Sequence, residues 1–340
     1  VPAFNEQASI VDSVRSMLGL SYSNFEVIVI NDGSRDGTLA ALVEAFALEP
    51  FPEAVAQRLP TQPIRGCFRS RLHPNLRVID KANGGKADSL NAGINLARHE
   101  LFCGVDADSI LERDALQRVV KPFQRDPFVV ATGGTVRVAN GCRIEGGVLT
   151  QVGLPRNLWA LFQVVEYLRA FLFGRLGWSQ LNAMLIISGA FGLFRRDLVI
   201  EVGGYRVKTI GEDMELVVRL HRHLRALQQR YRIEFVPDPV CWTEAPEDRL
   251  TLRNQRIRWQ RGWSESRSTN VGLMFNRRGG APGWLAYPFF AAFEWLGPLV
   301  ELGGYVFMVL AWSFGLISWQ AFAIFLFVAV GLGVLLSFSG

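Results

Sequence analysis

The feature that most constrains this chain is a set of carboxylates at the ends of buried apolar runs, in fixed order ahead of a hydrophobic C-terminus. Asp32 follows the apolar run 25–30 in Asn31-Asp32-Gly33-Ser34. Asp106-Ala107-Asp108 ends a second run, 101–105. Glu212-Asp213 opens a strongly periodic stretch, and Gln255-Arg256-Ile257-Arg258-Trp259 comes shortly before the tail. A carboxylate at the C-terminal end of a buried strand adds little stability but is well placed for a ligand, because open α/β sheets bind at that edge. Two such sites, an acidic pair at a helix start and a basic-aromatic cluster predict an enzyme that handles a metal-bound, polyanionic donor.

Between these sites, strands and helices alternate in the manner of a mostly parallel sheet flanked by helices, which makes the fold class α/β. The pattern predicts helices over 9–20, 37–48, 85–98, 112–124 and 212–224. It predicts strands over 25–31, 76–80, 101–106, 129–138 and 232–236. Residues 1–6 read as the end of a strand and the loop after it, so the chain is expected to be a fragment of a longer one. Segment 49–74, rich in Pro and Arg, breaks the rhythm and is expected to be a surface insertion. The stretch 158–178 is apolar and aromatic yet carries Glu166, Arg169 and Arg175. It suits an amphipathic helix at a membrane surface, with a core helix as the competing reading. Residues 185–194 read as a buried strand holding Ser188-Gly189-Ala190, where small side chains allow a ligand or backbone to approach closely. Residues 250–266 read as a basic amphipathic helix.

Composition sharpens the picture at the C-terminus. Hydrophobic residues make up 49% of the chain and the mean hydropathy is +0.18, high for a soluble protein. The excess lies beyond Ala281, where the only charged residues are Glu294 and Glu301. That stretch is long enough for two spans of about 20 residues. The basic residues just upstream place the preceding chain in the cytoplasm by the positive-inside rule. The expected organisation is a cytoplasmic catalytic domain over 1–248, a basic interfacial segment over 249–280 and a transmembrane region over 281–340, hence a multi-pass protein of the cell membrane. A net charge of +5 suits an anionic lipid surface or a nucleotide diphosphate, and no nucleic-acid partner is expected. The four cysteines are far apart and form no CxxC pair, which disfavours a metal cluster or a disulfide framework.

The chemistry divides among three places. Asp106 and Asp108, two apart in a loop after a strand, can both turn toward one hard divalent cation; the competing reading is a solvated loop. Asp32 can accept hydrogen bonds from a base or ribose, or can simply shape a turn. Asn83-Gly84-Gly85-Lys86 sets flexible backbone and a cation at a helix start, which suits phosphate, although it matches neither a Walker motif nor GxGxxG. Glu212 and Asp213 suit the first turn of a helix through its dipole, and a partly desolvated carboxylate there could also act as a general base. His221 and His223 point to different helix faces and are poor ligand candidates.

Taken together, Pro2-Ala3-Phe4-Asn5-Glu6, Asn31-Asp32-Gly33-Ser34, Asn83-Gly84-Gly85-Lys86, Asp106-Ala107-Asp108, Gly211-Glu212-Asp213 and Gln255-Arg256-Ile257-Arg258-Trp259 form an ordered set. The set resembles the motifs of membrane-bound family 2 glycosyltransferases, which include the processive cellulose, hyaluronan and poly-N-acetylglucosamine synthases. The resemblance runs from the first residue into the hydrophobic region. It implies a GT-A fold and inverting transfer from a nucleotide-sugar, usually UDP-linked and with UDP-GlcNAc as a candidate, dependent on Mg²⁺ or Mn²⁺. It implies that Pro2, Ala3, Asn5, Glu6, Asp32, Lys86, Asp106, Gln255 and Arg258 bind the donor and that Asp108 ligates the metal. Asp213 would be the catalytic base, while Gly189, Glu212 and Trp259 would meet the acceptor. The implied partners are a growing glycan or a lipid-linked acceptor, membrane lipids and membrane partner subunits. Gly211 stands where the cellulose and poly-N-acetylglucosamine enzymes usually carry Thr. Transfer of a single sugar to a lipid phosphate, and a non-catalytic membrane scaffold, are the competing readings.

Overall fold

A computed structural model describes residues 1–339. Two five-stranded sheets form its centre. In the first, β1 (Pro2–Ala3), β2 (Val27–Asn31) and β5 (Leu76–Lys81) run parallel, and β4 (Ile64–Ser70) and β3 (Leu48–Pro50) follow antiparallel. In the second the order is β6 (Leu101–Val105), β11 (Phe191–Arg195), β8 (Val129–Val138), β12 (Arg232–Thr243) and β7 (Ile110–Leu111). Only the β8–β12 pair is parallel there. A two-stranded hairpin, β9 (Arg143–Glu145) and β10 (Val148–Gln151), stands apart.

The expected mostly parallel arrangement is therefore corrected to a mixed one. One cause is segment 49–74, which is not purely a surface insertion: its β4 pairs with β5 through Phe68↔Val78 and Cys67↔Ile79. Most of β4 is only half-buried, so it lacks the apolar run that marks an interior strand. A second correction concerns 185–194, where strand geometry begins only at Phe191. Ala183, Met184, Leu185 and Ile187 are fully buried but irregular, and an apolar run reports burial without reporting conformation.

The helices of the first half pack on the sheets: α1 (Ile10–Leu18), α2 (Thr38–Phe46), α3 (Lys86–Leu96) and α4 (Ala115–Arg125). Ile10, Val14 and Met17 of α1 and Leu42 and Phe46 of α2 are buried at the spacing of one helix face, against Val29, Leu76 and Val78 of the first sheet. In the second half come α5 (Leu158–Leu168), a wide helical turn Arg169–Arg175, α6 (Leu176–Gln180), α7 (Arg196–Glu201), α8 (Glu212–Ala226) and α9 (Arg249–Asn270). Helix α5 buries Ala160 and Gln163 while Leu158, Trp159 and Phe162 stay exposed.

The region 281–340 begins inside the domain. Ala286 and Tyr287 are fully buried with Met214 and Val218 of α8, and the Tyr287 hydroxyl donates to the Arg267 carbonyl at 2.9 Å. Among the described residues no single helix is long and apolar enough to cross a membrane. Pro282–Trp295 and Gly297–Ser313, bent by 44° at their break, pass that test only as a pair, and Trp319–Ala329 is a shorter apolar helix. Gly340, the last residue of the expected transmembrane region, lies outside the described residues.

Candidate functional site

The site is built where β6 and β11 run antiparallel. Their register pairs Val105 with Phe191, so the loop after β6, carrying Asp106 and Asp108, faces the loop before β11, carrying Ser188, Gly189 and Ala190. The Asp106 N–H donates to the Ala190 carbonyl at 3.4 Å. Helix α8 adds its first turn, with Glu212, Asp213 and Glu215 together at the positive end of the helix dipole. Helix α3 adds Lys86, its first residue, delivered by Gly85 at φ +87°, a backbone state that L side chains rarely adopt.

These elements converge on one cation. Lys86 Nζ lies 2.5 Å from Asp106 Oδ1, 3.4 Å from Glu212 Oε1 and 3.5 Å from the Gly189 carbonyl. Burial by itself would lower the pKa of this ammonium. Asp106, then Glu212, and Asp213 outweigh that and hold it above its ordinary value. Asp213 accepts the Gly189 N–H on Oδ2 at 3.1 Å and the Met214 N–H on Oδ1 at 2.8 Å. Burial raises the pKa of Glu212, with the Asp213 carboxylate adding to the shift and Lys86 opposing it. Gly189 is required for closeness, since a Cβ there would stand 2.9 Å from Lys86 Nζ and 3.4 Å from Asp213 Oδ2.

Asp108 lies at the edge of this cluster. The residue is exposed, yet enough protein surrounds its carboxyl that desolvation, then repulsion from Asp106 and Glu6, raises its pKa to about 6. Excess negative charge on hard oxygen donors is what a divalent cation relieves. Among the described residues no group of three His, Cys, Asp or Glu side chains forms a ready-made cage. Asp108 and Asp106 therefore fit an ion such as Mg²⁺ or Mn²⁺ that takes its other oxygens from a phosphate ligand or water.

The first two motifs are stitched to each other. The Asn5 N–H donates to Ser34 Oγ at 3.0 Å, the Arg35 N–H to Asn5 Oδ1 at 2.8 Å, and the Glu6 N–H to Thr38 Oγ1 at 2.9 Å. Pro2 and Ala3 form β1, beside Ile30 and Asn31. Asp32 is 2% exposed and works inside the fold. It accepts Lys81 Nζ at 2.5 Å, the N–H of Gly84 at 3.0 Å and of Gly85 at 2.7 Å, and Asn83 Nδ2 at 3.2 Å. Lys81, wholly buried, bridges onward to Asp88 at 2.6 Å. Neither Lys81 nor Asp88 is among the residues singled out from the sequence, although a lysine within the apolar strand β5 is a visible signal.

A search of the family models finds that residues 1–203 match Glycosyl transferase family 2. The chain belongs to that family. This family 2 glycosyltransferase is 31% identical over 265 residues to poly-beta-1,6-N-acetyl-D-glucosamine synthase of Staphylococcus aureus (strain COL), covering 77% of this chain and 53% of the relative. The Staphylococcus epidermidis enzyme of the same name is 29% identical over the same extents. The glycosyltransferase thus spans about half the length of the curated relatives it matches. Its fold is similar to that of the mannosyltransferase PcManGT from Pyrobaculum calidifontis, solved with GDP-Man and Mn2+: the TM-score is 0.69 at 19% identity, over 98% of this chain and 79% of that one.

Of the site residues expected in this glycosyltransferase, the structure brings Lys86, Asp106, Gly189, Glu212 and Asp213 together, with Asp108 adjoining. Gln255, Arg258 and Trp259 lie on α9 and, among the described residues, make no hydrogen bond or ion pair to that cluster. Arg258 is exposed and has no ion pair among the described residues. Trp259 is 47% exposed beneath the Arg256 guanidinium, which is held by both oxygens of Glu166 on α5. Gly211 in place of Thr has a packing reason: a Cβ there would come within 3.0 Å of Gly262 Cα, where α9 crosses the start of α8.

Proposed function

We propose that the chain transfers a sugar from a nucleotide-sugar donor to a growing glycan with inversion, and we assign UDP-N-acetylglucosamine as the donor. The observation that carries this reading is the convergence of Lys86, Asp106, Gly189, Glu212 and Asp213 at the facing ends of β6 and β11. The product named for the staphylococcal relatives supports the choice of sugar.

Asp213 takes the proton of an acceptor hydroxyl as its oxygen bonds to the anomeric carbon and the bond to the diphosphate breaks. The Gly189 N–H fixes the carboxylate for that task. Lys86, kept charged by its acidic neighbours, meets the diphosphate. Asp32, Lys81 and the 82–85 loop position that lysine. Held by Asp108 with Asp106, Mg²⁺ or Mn²⁺ would neutralise charge on the departing diphosphate. Arg258 and Trp259 on α9 suit phosphate and the apolar face of an acceptor sugar, respectively. The Glu212 carboxyl, close to Asp213, adjoins the acceptor.

We place this chemistry at a membrane face. Leu158, Trp159 and Phe162 on α5 form an exposed apolar stripe, and the bent helical pair and Trp319–Ala329 supply further apolar surface. Incubating membranes that carry the protein with a panel of radiolabelled nucleotide-sugars, with and without chelator, and sizing the products tests the whole reading. We expect metal-dependent polymer from UDP-N-acetylglucosamine. Label incorporated only from another donor, or only one sugar added, would overturn the donor or the polymer part.

A further inference from the structure

Arg175 closes the wide helical turn between α5 and α6. Its guanidinium lies 3.7 Å from the centre of the Phe171 ring, itself 4% exposed, and its Nη1 is buried with no acceptor. It has no ion pair among the described residues. Arg256 is matched by Glu166, Arg219 by Glu215 and Arg77 by Glu26 and Glu53, whereas Arg69, Arg137 and Arg267 also keep a buried Nε without an acceptor. A guanidinium nitrogen withdrawn from water without an acceptor is unfavourable, and Nη1 stays unsatisfied.

One of the two acidic groups that act on Arg175, Asp213, belongs to the site. Burial pulls its pKa down to about 10, and Asp213, then Tyr167, push the other way. Tyr167 in turn feels Asp108 and Arg256. Arg175 therefore lies within electrostatic reach of the candidate base, from a stretch that the sequence alone reads as a membrane-surface helix or a core helix.

We propose that Arg175 is a diphosphate-binding residue, its unpaired Nη1 donating to phosphate oxygens of the nucleotide-sugar. This rests on the donor reading above and adds a cation to it. Neutral sugar hydroxyls would leave the guanidinium uncompensated. A diphosphate is multiply charged, and its paired oxygens match the planar fork. Stacking on Phe171 holds the plane of the fork before the ligand arrives.

Arg175→Gln and Arg175→Lys in the full chain, titrated with UDP in Mn²⁺ and with uridine, decide the matter. A charge-assisted hydrogen bond is worth about tenfold or more in affinity, so Arg175→Gln should weaken UDP at least tenfold. Arg175→Lys should recover part of the loss, and uridine should bind all three proteins alike. The ligand-free melting temperature of Arg175→Gln should not fall, because the change removes an unpaired charge. Parallel losses for UDP and uridine, or unchanged UDP affinity with a lowered melting temperature, would assign Arg175 to packing and overturn the proposal. Failure of the unaltered protein to bind any nucleoside diphosphate would instead overturn the donor reading, and the role of Arg175 would fall with it.

Discussion

The backbone N–H of Gly189 donates to Oδ2 of Asp213 at 3.1 Å, and a Cβ at that position would stand 2.9 Å from Lys86 Nζ. Replacing Gly189 by Ala would push its Cβ into the flexible end of Lys86, which can move. Folding should survive. Transfer should fall by roughly tenfold or more, because a misplaced charge loses much of its effect on the reacting centre. Steady-state kinetics alongside a melting curve checks this: unchanged turnover at unchanged stability would show that the close approach is incidental.

Asp213→Asn keeps the size of the side chain and its hydrogen bond from Gly189 but cannot take a proton. Turnover should drop by about 10²-fold or more, the usual scale for a general base, with donor affinity largely kept. Near-normal transfer would move the base elsewhere, with Glu212 as the next carboxylate to test.

Asp108→Ala should weaken nucleotide binding in the presence of Mg²⁺ or Mn²⁺ and change it little in chelator. Calorimetry under both conditions separates a ligand from a structural residue. Equal losses in the two would mean that the side chain shapes the loop only.

Lys81 lies wholly buried between Asp32 and Asp88. Lys81→Met would leave two buried carboxylates without their cation and should destabilise the fold by about 3–5 kcal/mol in urea unfolding. Adding Asp88→Leu should recover part of that, since it removes one unpaired charge. Strictly additive losses would show that the three groups are not coupled.

His221 is fully buried between the Tyr231 hydroxyl at 2.6 Å and the Met184 carbonyl at 2.9 Å, and burial lowers its pKa from 6.5 to about 4. Above pH 6.5 the imidazole is neutral in both folded and unfolded chains. As the pH falls from 6.5 toward 4, only the unfolded chain takes up the proton, so stability declines by about 3 kcal/mol over that window. His221→Gln should be less stable at pH 7.5 yet lose less on acidification. Parallel stability–pH curves for the two proteins would exclude this histidine as the cause.

How far each element was legible depended on the reach of the interaction behind it. Asp106 and Asp108 end an apolar strand, and Glu212 and Asp213 open an amphipathic helix; periodicity and helix dipoles act within a few residues. Strand β4 was hidden because a half-buried antiparallel strand carries no apolar run. The start of β11 was misplaced because a buried loop is as apolar as a strand.

The sequence by itself determined the α/β class, the order of the motifs and the residue types that form the site, since each is written in local pattern and chemistry. Only the tertiary structure decided which of those residues meet. The antiparallel register of β6 and β11 sets Ala190 against Asp106, and the packing of α3 and α8 brings Lys86 to Glu212. The buried Lys81 draws Asp32 inward, while Arg175 is left without a counter-charge. Those outcomes depend on distances between segments far apart in the chain. They are set by the packing of whole sheets and helices and by the unfavourable burial of an unmatched charge, neither of which a local stretch of sequence records.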